Sequence, residues 1–264
     1  MIVEGTENLT EEQKKILEHQ IKNADYSKIE IEESDSAKYF KKNYYVKIAN
    51  FITPEEASYF YTYIKQATRR LLLAEQNLDE FDMKVFGTFG DVQASGDYSK
   101  YGDPAFDSLL EHKLADASYF TGYDLIPTYS YQRLYTNGTE LKRHKDRESC
   151  EISATLCIGY DVSNVDENVY PDYNWPMFVG PSTGEIGTKG NPIQLKPGDA
   201  IFYRGCKLEH WREPYLGKNH AQVFLHYNDN NGKYKRLYDM RPELGLPGSF
   251  RTDEQKGPNR FEDK

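Results

Sequence analysis

The sequence predicts an α+β protein in which helices come first and a β-sandwich or barrel follows. Three observations predict it. Apolar residues recur at helical spacing from Ala57 to Leu71. About seven short β-rich runs crowd between residues 125 and 227. Gly, Pro, Asn and Asp clusters separate those runs. With 264 residues, 38% of them hydrophobic and 14% aromatic, the chain is long enough to bury a sizeable core.

Residues 1–35 are polar and read as an N-terminal arm. Within it Thr10, Glu11 and Glu12 open a helix that runs to about Ile21, a capping residue followed by early acids. One domain then spans 36–242, with helical support over 44–120 and a β core over 125–228. Tyr44–Ile48 reads as a strand. Thr53 is an N-cap, Pro54 sits at the first helical position, and Glu55 and Glu56 follow, so a helix runs to about Ala74. Residues 87–104, rich in Gly, Asp, Ser and Tyr, read as a loop, with the composition of a substrate lid as much as of an ordinary surface loop. A second helix covers Pro104 to about Ala117. Strands are expected at 125–136, 151–160, 175–180, 192–196, 199–204, 207–212 and 219–227, with turns at Asn137-Gly138, Pro197-Gly198-Asp199 and Asn230-Asn231-Gly232. Residues 243–264 read as a polar surface tail.

The net charge of −9 argues against a general nucleic-acid or anionic-membrane binder, whose footprint is basic. No apolar run approaches the ~18 residues of a membrane span, and the first residues lack the pattern of a secretory signal. Cys150, Cys157 and Cys206 are odd in number and carry no CxxC spacing. A disulfide scaffold and a cysteine-rich zinc site are therefore set aside, and a soluble cytoplasmic protein in a reducing compartment is expected.

Chemistry points to one place. In His144-Lys145-Asp146 an imidazole and a carboxylate are two residues apart, so on a strand they project to the same side. A histidine from a neighbouring strand would complete a set of two His and one carboxylate with open positions, as non-haem Fe(II) chemistry needs. His210 is that candidate, since it follows the Pro197-Gly198-Asp199 turn and a half-buried strand. An isolated HxD is most often a solvated turn; the surrounding motifs favour the metal reading.

Tyr135-Thr-Asn-Gly138-x5-His144-x-Asp146, then Leu195-Lys-Pro197-Gly198-Asp199-Ala-Ile-Phe202, then His210-x-x-Glu213-Pro214 resembles the Fe(II)- and 2-oxoglutarate-dependent dioxygenases, in particular the subgroup similar to prolyl 4-hydroxylases. The resemblance covers roughly residues 125–228, and the strand and Thr-Pro-Glu-Glu helix at 45–72 also suit that subgroup. It implies a double-stranded β-helix (jelly-roll, cupin-like) core flanked by N-terminal helices. It also implies catalytic and metal ligands His144, Asp146 and His210, with Fe(II), 2-oxoglutarate and O2 as cofactor and cosubstrates. The implied reaction is hydroxylation of a C–H bond of a peptidyl or prolyl-type substrate.

The resemblance breaks at one point. The basic residue that holds the far carboxylate of 2-oxoglutarate, nine or ten residues after the last histidine, is here Asn219 or His220. Arg212, on the inward side of the same strand as His210, is the preferred substitute, and Lys218 is next. Tyr135, nine residues before His144, and Gln222 are expected to add neutral hydrogen bonds to the cosubstrate. His226 reads as a structural histidine, and Arg147 either orients Asp146 or is a rim charge. Three alternatives stand beside this reading. One is the same chemistry on a nucleobase or small molecule, with nucleic acid disfavoured by charge. Another is a cupin-like metal enzyme that does not use 2-oxoglutarate, and the third is an inactive β-sandwich binding module.

Overall fold

A computed structural model describes residues 10–12, 14–15, 33–74 and 85–252. The chain divides into two units, residues 1–33 and 34–264. In the first, the Lys14 amide donates to the Thr10 carbonyl at 2.9 Å, and Lys14 pairs with Glu11, a helical turn opening where the capping residues place it. The rest of the helix expected to reach Ile21 lies outside the described residues.

The second unit runs α1 (Asp35–Asn43), β1 (Tyr45–Ile48), α2 (Pro54–Ala74), β2 (Tyr98–Tyr101), α3 (Pro104–His112), α4 (Leu114–Thr121), β3 (Leu125–Thr136), β4 (Leu141–His144), β5 (Ile152–Asp161), β6 (Met177–Val179), β7 (Asn191–Ile193), β8 (Ala200–Tyr203), β9 (His210–Arg212) and β10 (Asn219–Asp229). All the strand pairings are antiparallel. Six strands form one sheet in the order β1-β8-β5-β10-β3-β2, and four form a second in the order β4-β9-β6-β7.

The local chemistry of the sequence is visible at the helix ends. Thr53 Oγ1 accepts from the Glu56 amide at 3.1 Å and Glu56 Oε2 accepts from the Thr53 amide at 2.8 Å, a reciprocal cap that starts α2. Asp103 caps α3 through the Ala105 amide at 3.0 Å. The single helix expected over 104–117 is two, because α3 closes at Lys113, whose amide reaches back to Leu109, and α4 begins at the next residue.

Alternation on the long strands sorts the large sheet into two faces. Val223 and Leu225 of β10, Leu134 of β3 and Leu156 of β5 pack into a buried cluster with Ile64 and Leu71 of α2 and Phe106 and Leu110 of α3, so the helices cover this face. The opposite face carries Tyr129, Tyr131, Arg133 and Tyr135 on β3 and Gln222, Phe224 and His226 on β10. It meets the small sheet, where Cys157, Ile201 and Tyr203 pack against Met177 and Val179. The Pro197-Gly198-Asp199 turn ties the layers together. Gly198 has φ +95° and a Cβ there would lie 2.6 Å from the Ile52 carbonyl oxygen, while Asp199 pairs with Lys47 of β1 at 2.9 Å.

Three further segments differ from the sequence reading. α1 forms where no helix was expected, capped by Ser34. β2 lies inside the expected 87–104 loop, paired with β3. β4 is a four-residue strand at 141–144 that turn-rich flanks conceal. The C-terminal residues to 252 form a strap on the domain. Within it Arg241 pairs with Asp107 at 2.8 Å, both fully buried, and the Gly245 amide donates to Asp107 Oδ2 at 2.7 Å. Tyr238, Asp239 and Met240 all have positive φ, between 51° and 68°.

Candidate metal centre

β4 and β9 pair so that His144 stands directly opposite His210. Their rings are 4.2 Å apart, and Asp146, just beyond β4, turns back between them. Asp146 Oδ1 lies 3.6 Å from His144 Nε2 and 3.4 Å from His210 Nε2, so three ligand atoms from two strands close on one point.

Their surroundings fit a divalent cation. His144 Nδ1 donates to the Lys142 carbonyl at 2.7 Å and His210 Nδ1 to the Leu208 carbonyl at 3.1 Å. Each bond places the ring proton on Nδ1 and leaves the Nε2 lone pair toward the shared point. Asp146 Oδ2 accepts from Ser153 Oγ at 3.2 Å, which leaves Oδ1 as the ligating oxygen. Gly205 makes room for this carboxylate: a Cβ there would collide with Asp146 Oδ2 and the Cys150 carbonyl. Burial opposes ionisation of Asp146, but in the metal-free site His210, when its ring carries a second proton, holds the carboxyl well below the usual range by charge and hydrogen bond; a bound cation would take that proton's place. Burial and the neighbouring His210 lower the pKa of His144. A carboxylate with two neutral imidazoles is the donor set that non-haem Fe(II) takes.

The three residues open into a cavity of about 320 Å³ between the sheets. Arg212, two residues beyond His210 on the same inward side, lines it with Gln222. Arg212 is 1% exposed and has no ion pair with a described acid; one N–H goes to the Trp175 carbonyl, and its Nε has no partner among the described residues. Both amide atoms of buried Gln222 are likewise without partners there. A buried, uncompensated guanidinium beside an unsatisfied amide is the environment a carboxylate would complete.

The other expected cosubstrate residues divide. Tyr135 is fully buried behind the cavity wall, accepting from Arg133 Nη1 at 3.2 Å and packing on Trp175. Lys218 does not join the cavity: it is exposed, and its amide bonds the Asp161 carbonyl in the turn before β10. Asn219 and His220 do not supply a cation either. Burial, with Arg212 nearby, holds His220 neutral, stacked on Tyr160.

Sequence reasoning missed Arg133 and Asp91. The Arg133 Nη2–Asp91 Oδ2 distance is 2.6 Å, both side chains are almost buried, and Tyr131 Oη and Gln93 bond into the same pair. The alternation of β3 puts Arg133 on the cavity face, a signal available in the sequence. The loop that carries Asp91 gave none. Arg147 lies over the Tyr129 ring, 4.6 Å from its centroid, and grips Asp239 of the strap through both η nitrogens.

Solved structures share this fold over most of both chains. The non-heme alpha-ketoglutarate-dependent carbocyclase SnoK of nogalamycin biosynthesis aligns with a TM-score of 0.54 at 13% identity, covering 83% of this chain and 94% of its own. HygX from Streptomyces hygroscopicus, with nickel and 2-oxoglutarate bound, aligns with a TM-score of 0.52 at 14% identity over 83% and 94%. EctD from S. alaskensis, with 2-oxoglutarate and 5-hydroxyectoine, aligns with a TM-score of 0.51 at 16% identity over 85% and 86%. The chain thus has the fold of known 2-oxoglutarate-dependent enzymes. No family model matches the sequence, and no curated protein is significantly similar to it. Among the described residues no helix is long and apolar enough to cross a membrane.

Proposed function

We propose that the protein is an Fe(II)- and 2-oxoglutarate-dependent oxygenase, built on a double-stranded β-helix, that hydroxylates a C–H bond. The balanced reaction takes substrate, O2 and 2-oxoglutarate to hydroxylated substrate, succinate and CO2. One observation carries the reading. Three ligand atoms close on one point, in the same cavity as a buried arginine that has no acid partner among the described residues. An inactive binding module has no need of either feature, and a metal enzyme without the cosubstrate has no need of the second.

His144, Asp146 and His210 would hold iron through one side, leaving the other positions to cosubstrate and O2. Bound there, iron and 2-oxoglutarate supply the oxidising power. Arg212 would pair with the far carboxylate of 2-oxoglutarate, and the Gln222 amide would find its partners on the same ligand. Tyr135 keeps Arg133 turned to the cavity wall. Tyr129, Tyr131 and Phe224 give the cavity an aromatic lining.

The resemblance of the motifs to prolyl 4-hydroxylases favours a peptidyl or prolyl-type substrate. A small-molecule substrate is the second reading, favoured by the SnoK and EctD neighbours, the latter holding 5-hydroxyectoine. The thiol state of Cys150, Cys157 and Cys206 supports work in a reducing compartment such as the cytoplasm. An anaerobic titration with Fe(II) and 2-oxoglutarate tests the proposal. A visible charge-transfer band that Asp146→Ala abolishes is expected; iron binding without a band removes the cosubstrate, and no iron binding removes the enzyme.

A further inference from the structure

Beneath the metal-facing carboxylate lies a second group of polar side chains. Asp146, Cys150 and His226 bring their ligand atoms within 4.8 Å of one another. Ser153 sits among them: its Oγ is 3.2 Å from Asp146 Oδ2, 3.2 Å from the Cys150 carbonyl and 2.9 Å from His226 Nδ1. Cys150 Sγ has a partner of its own, Tyr129 Oη at 3.0 Å.

The geometry points to His226 as a positioning residue that fixes which oxygen of Asp146 faces the metal. This rests on the metal reading of the His144, Asp146 and His210 centre. The direction of each bond follows from donor and acceptor counting. Ser153 has one hydroxyl proton, and both the ionised Asp146 carboxylate and the Cys150 carbonyl can only accept. In the tautomer with the His226 proton on Nδ1, that contact runs from Nδ1–H to Ser153 Oγ, and the hydroxyl proton is left for these two acceptors, of which the charged Asp146 carboxylate is the stronger. His226 in this tautomer holds the hydroxyl with its proton turned toward Asp146 Oδ2. The engaged Oδ2 cannot swing to the metal, and Oδ1 is presented alone.

Three packing features keep His226 in place. Its ring lies 4.5 Å from Tyr129 and parallel to Phe224 at 6.3 Å, and the side chain is buried at the end of β10 nearest the metal ligands. Gly205, lacking a side chain, leaves Oδ2 the space it occupies beside the Cys150 carbonyl. Cys150 Sγ and His226 Nδ1 are turned to Tyr129 Oη and Ser153 Oγ, so the group reads as support for a ligand and not as a second ion site.

Cobalt(II) titration of the full chain, followed by its visible and near-ultraviolet bands, tests this apart from turnover. Wild-type binding that His144→Ala abolishes establishes the centre itself; a folded wild type that binds no cobalt overturns both readings. Given binding, Ser153→Ala and His226→Leu should each weaken cobalt affinity by about tenfold or more, the range seen when a ligand's hydrogen-bond partner is removed. His226→Asn, which can place an amide N–H where Nδ1–H stood, should recover most of the loss. Equal affinity in wild type, Ser153→Ala and His226→Leu would reduce the group to packing. A thiolate-to-cobalt band that Cys150→Ser removes would mean that the group holds an ion itself, and would also overturn the inference.

Discussion

Arg212 lies over the Trp175 ring, its guanidinium 4.7 Å from the ring centroid, and gives an N–H to the same residue's carbonyl. Burial lowers its pKa to about 10, so it stays charged at neutral pH in a place where no described residue offers it a carboxylate. A buried cation held this way is primed for an anionic ligand.

Arg212→Met should therefore raise the dissociation constant for 2-oxoglutarate roughly 30-fold or more, since removing one member of a buried charged pair costs about 2–5 kcal/mol. Lys218→Ala should leave it unchanged. Calorimetric titration of 2-oxoglutarate into metal-loaded protein distinguishes the two, and equal effects would return Lys218 to consideration.

Gly205→Ala tests the room given to the metal-facing carboxylate. The added methyl group would displace Asp146 or the Cys150 backbone, so metal affinity should fall more than tenfold. Metal titration with a thermal melt separates this local effect from unfolding. Unchanged affinity would show that the turn yields at no cost to the site.

The Asp91–Arg133 pair is a buried ion pair bridging the 87–97 loop and the cavity face of β3. Asp91→Ala should destabilise the fold by about 3–5 kcal/mol, because it strands a buried charge, whereas Asp91→Ala with Arg133→Met should recover part of the loss. Denaturant unfolding of the four members of the cycle measures the coupling. Additive losses would mean that the loop does not depend on the pair.

Acid stability has a worked sign. Burial lowers the pKa of His226 to about 4, and burial with Arg212 nearby holds His220 well below the ordinary histidine range. In the unfolded chain both titrate near 6.5, so below that pH the unfolded state takes up protons that the folded state refuses. Stability is fully present above about pH 6.5 and should fall as pH drops toward 4. Melting temperatures of the metal-free protein across that window test it, and the slope should flatten in His226→Asn.

Sequence reading reached the strand that carries His210 and Arg212, and fell short on β4 and on what lies over the sheets. The i and i+2 rule puts Arg212 beside His210, because a strand's geometry is local, whereas Asp146 reaches His144 from the turn just beyond β4. Arg133 obeys the same rule on β3, but its role depends on Asp91, from a loop whose composition says nothing of where it lands. β4 escaped notice for the same kind of reason. Two pairs with β9, Leu141 with Arg212 and His144 with His210, define it, and those partners come from far along the chain.

The left-handed run Tyr238-Asp239-Met240 makes the strap a conditional structure. Each non-glycine residue in that region costs on the order of 1–3 kcal/mol, a debt that Arg147, Tyr101 and Arg251 offset by converging on Asp239. Arg147 and Tyr101 belong to distant parts of the chain and are in place only once the sheets have assembled. The strap therefore works as a seal set last. Protease resistance around residue 239 should report that the whole domain, including the turn beside Asp146, has been completed.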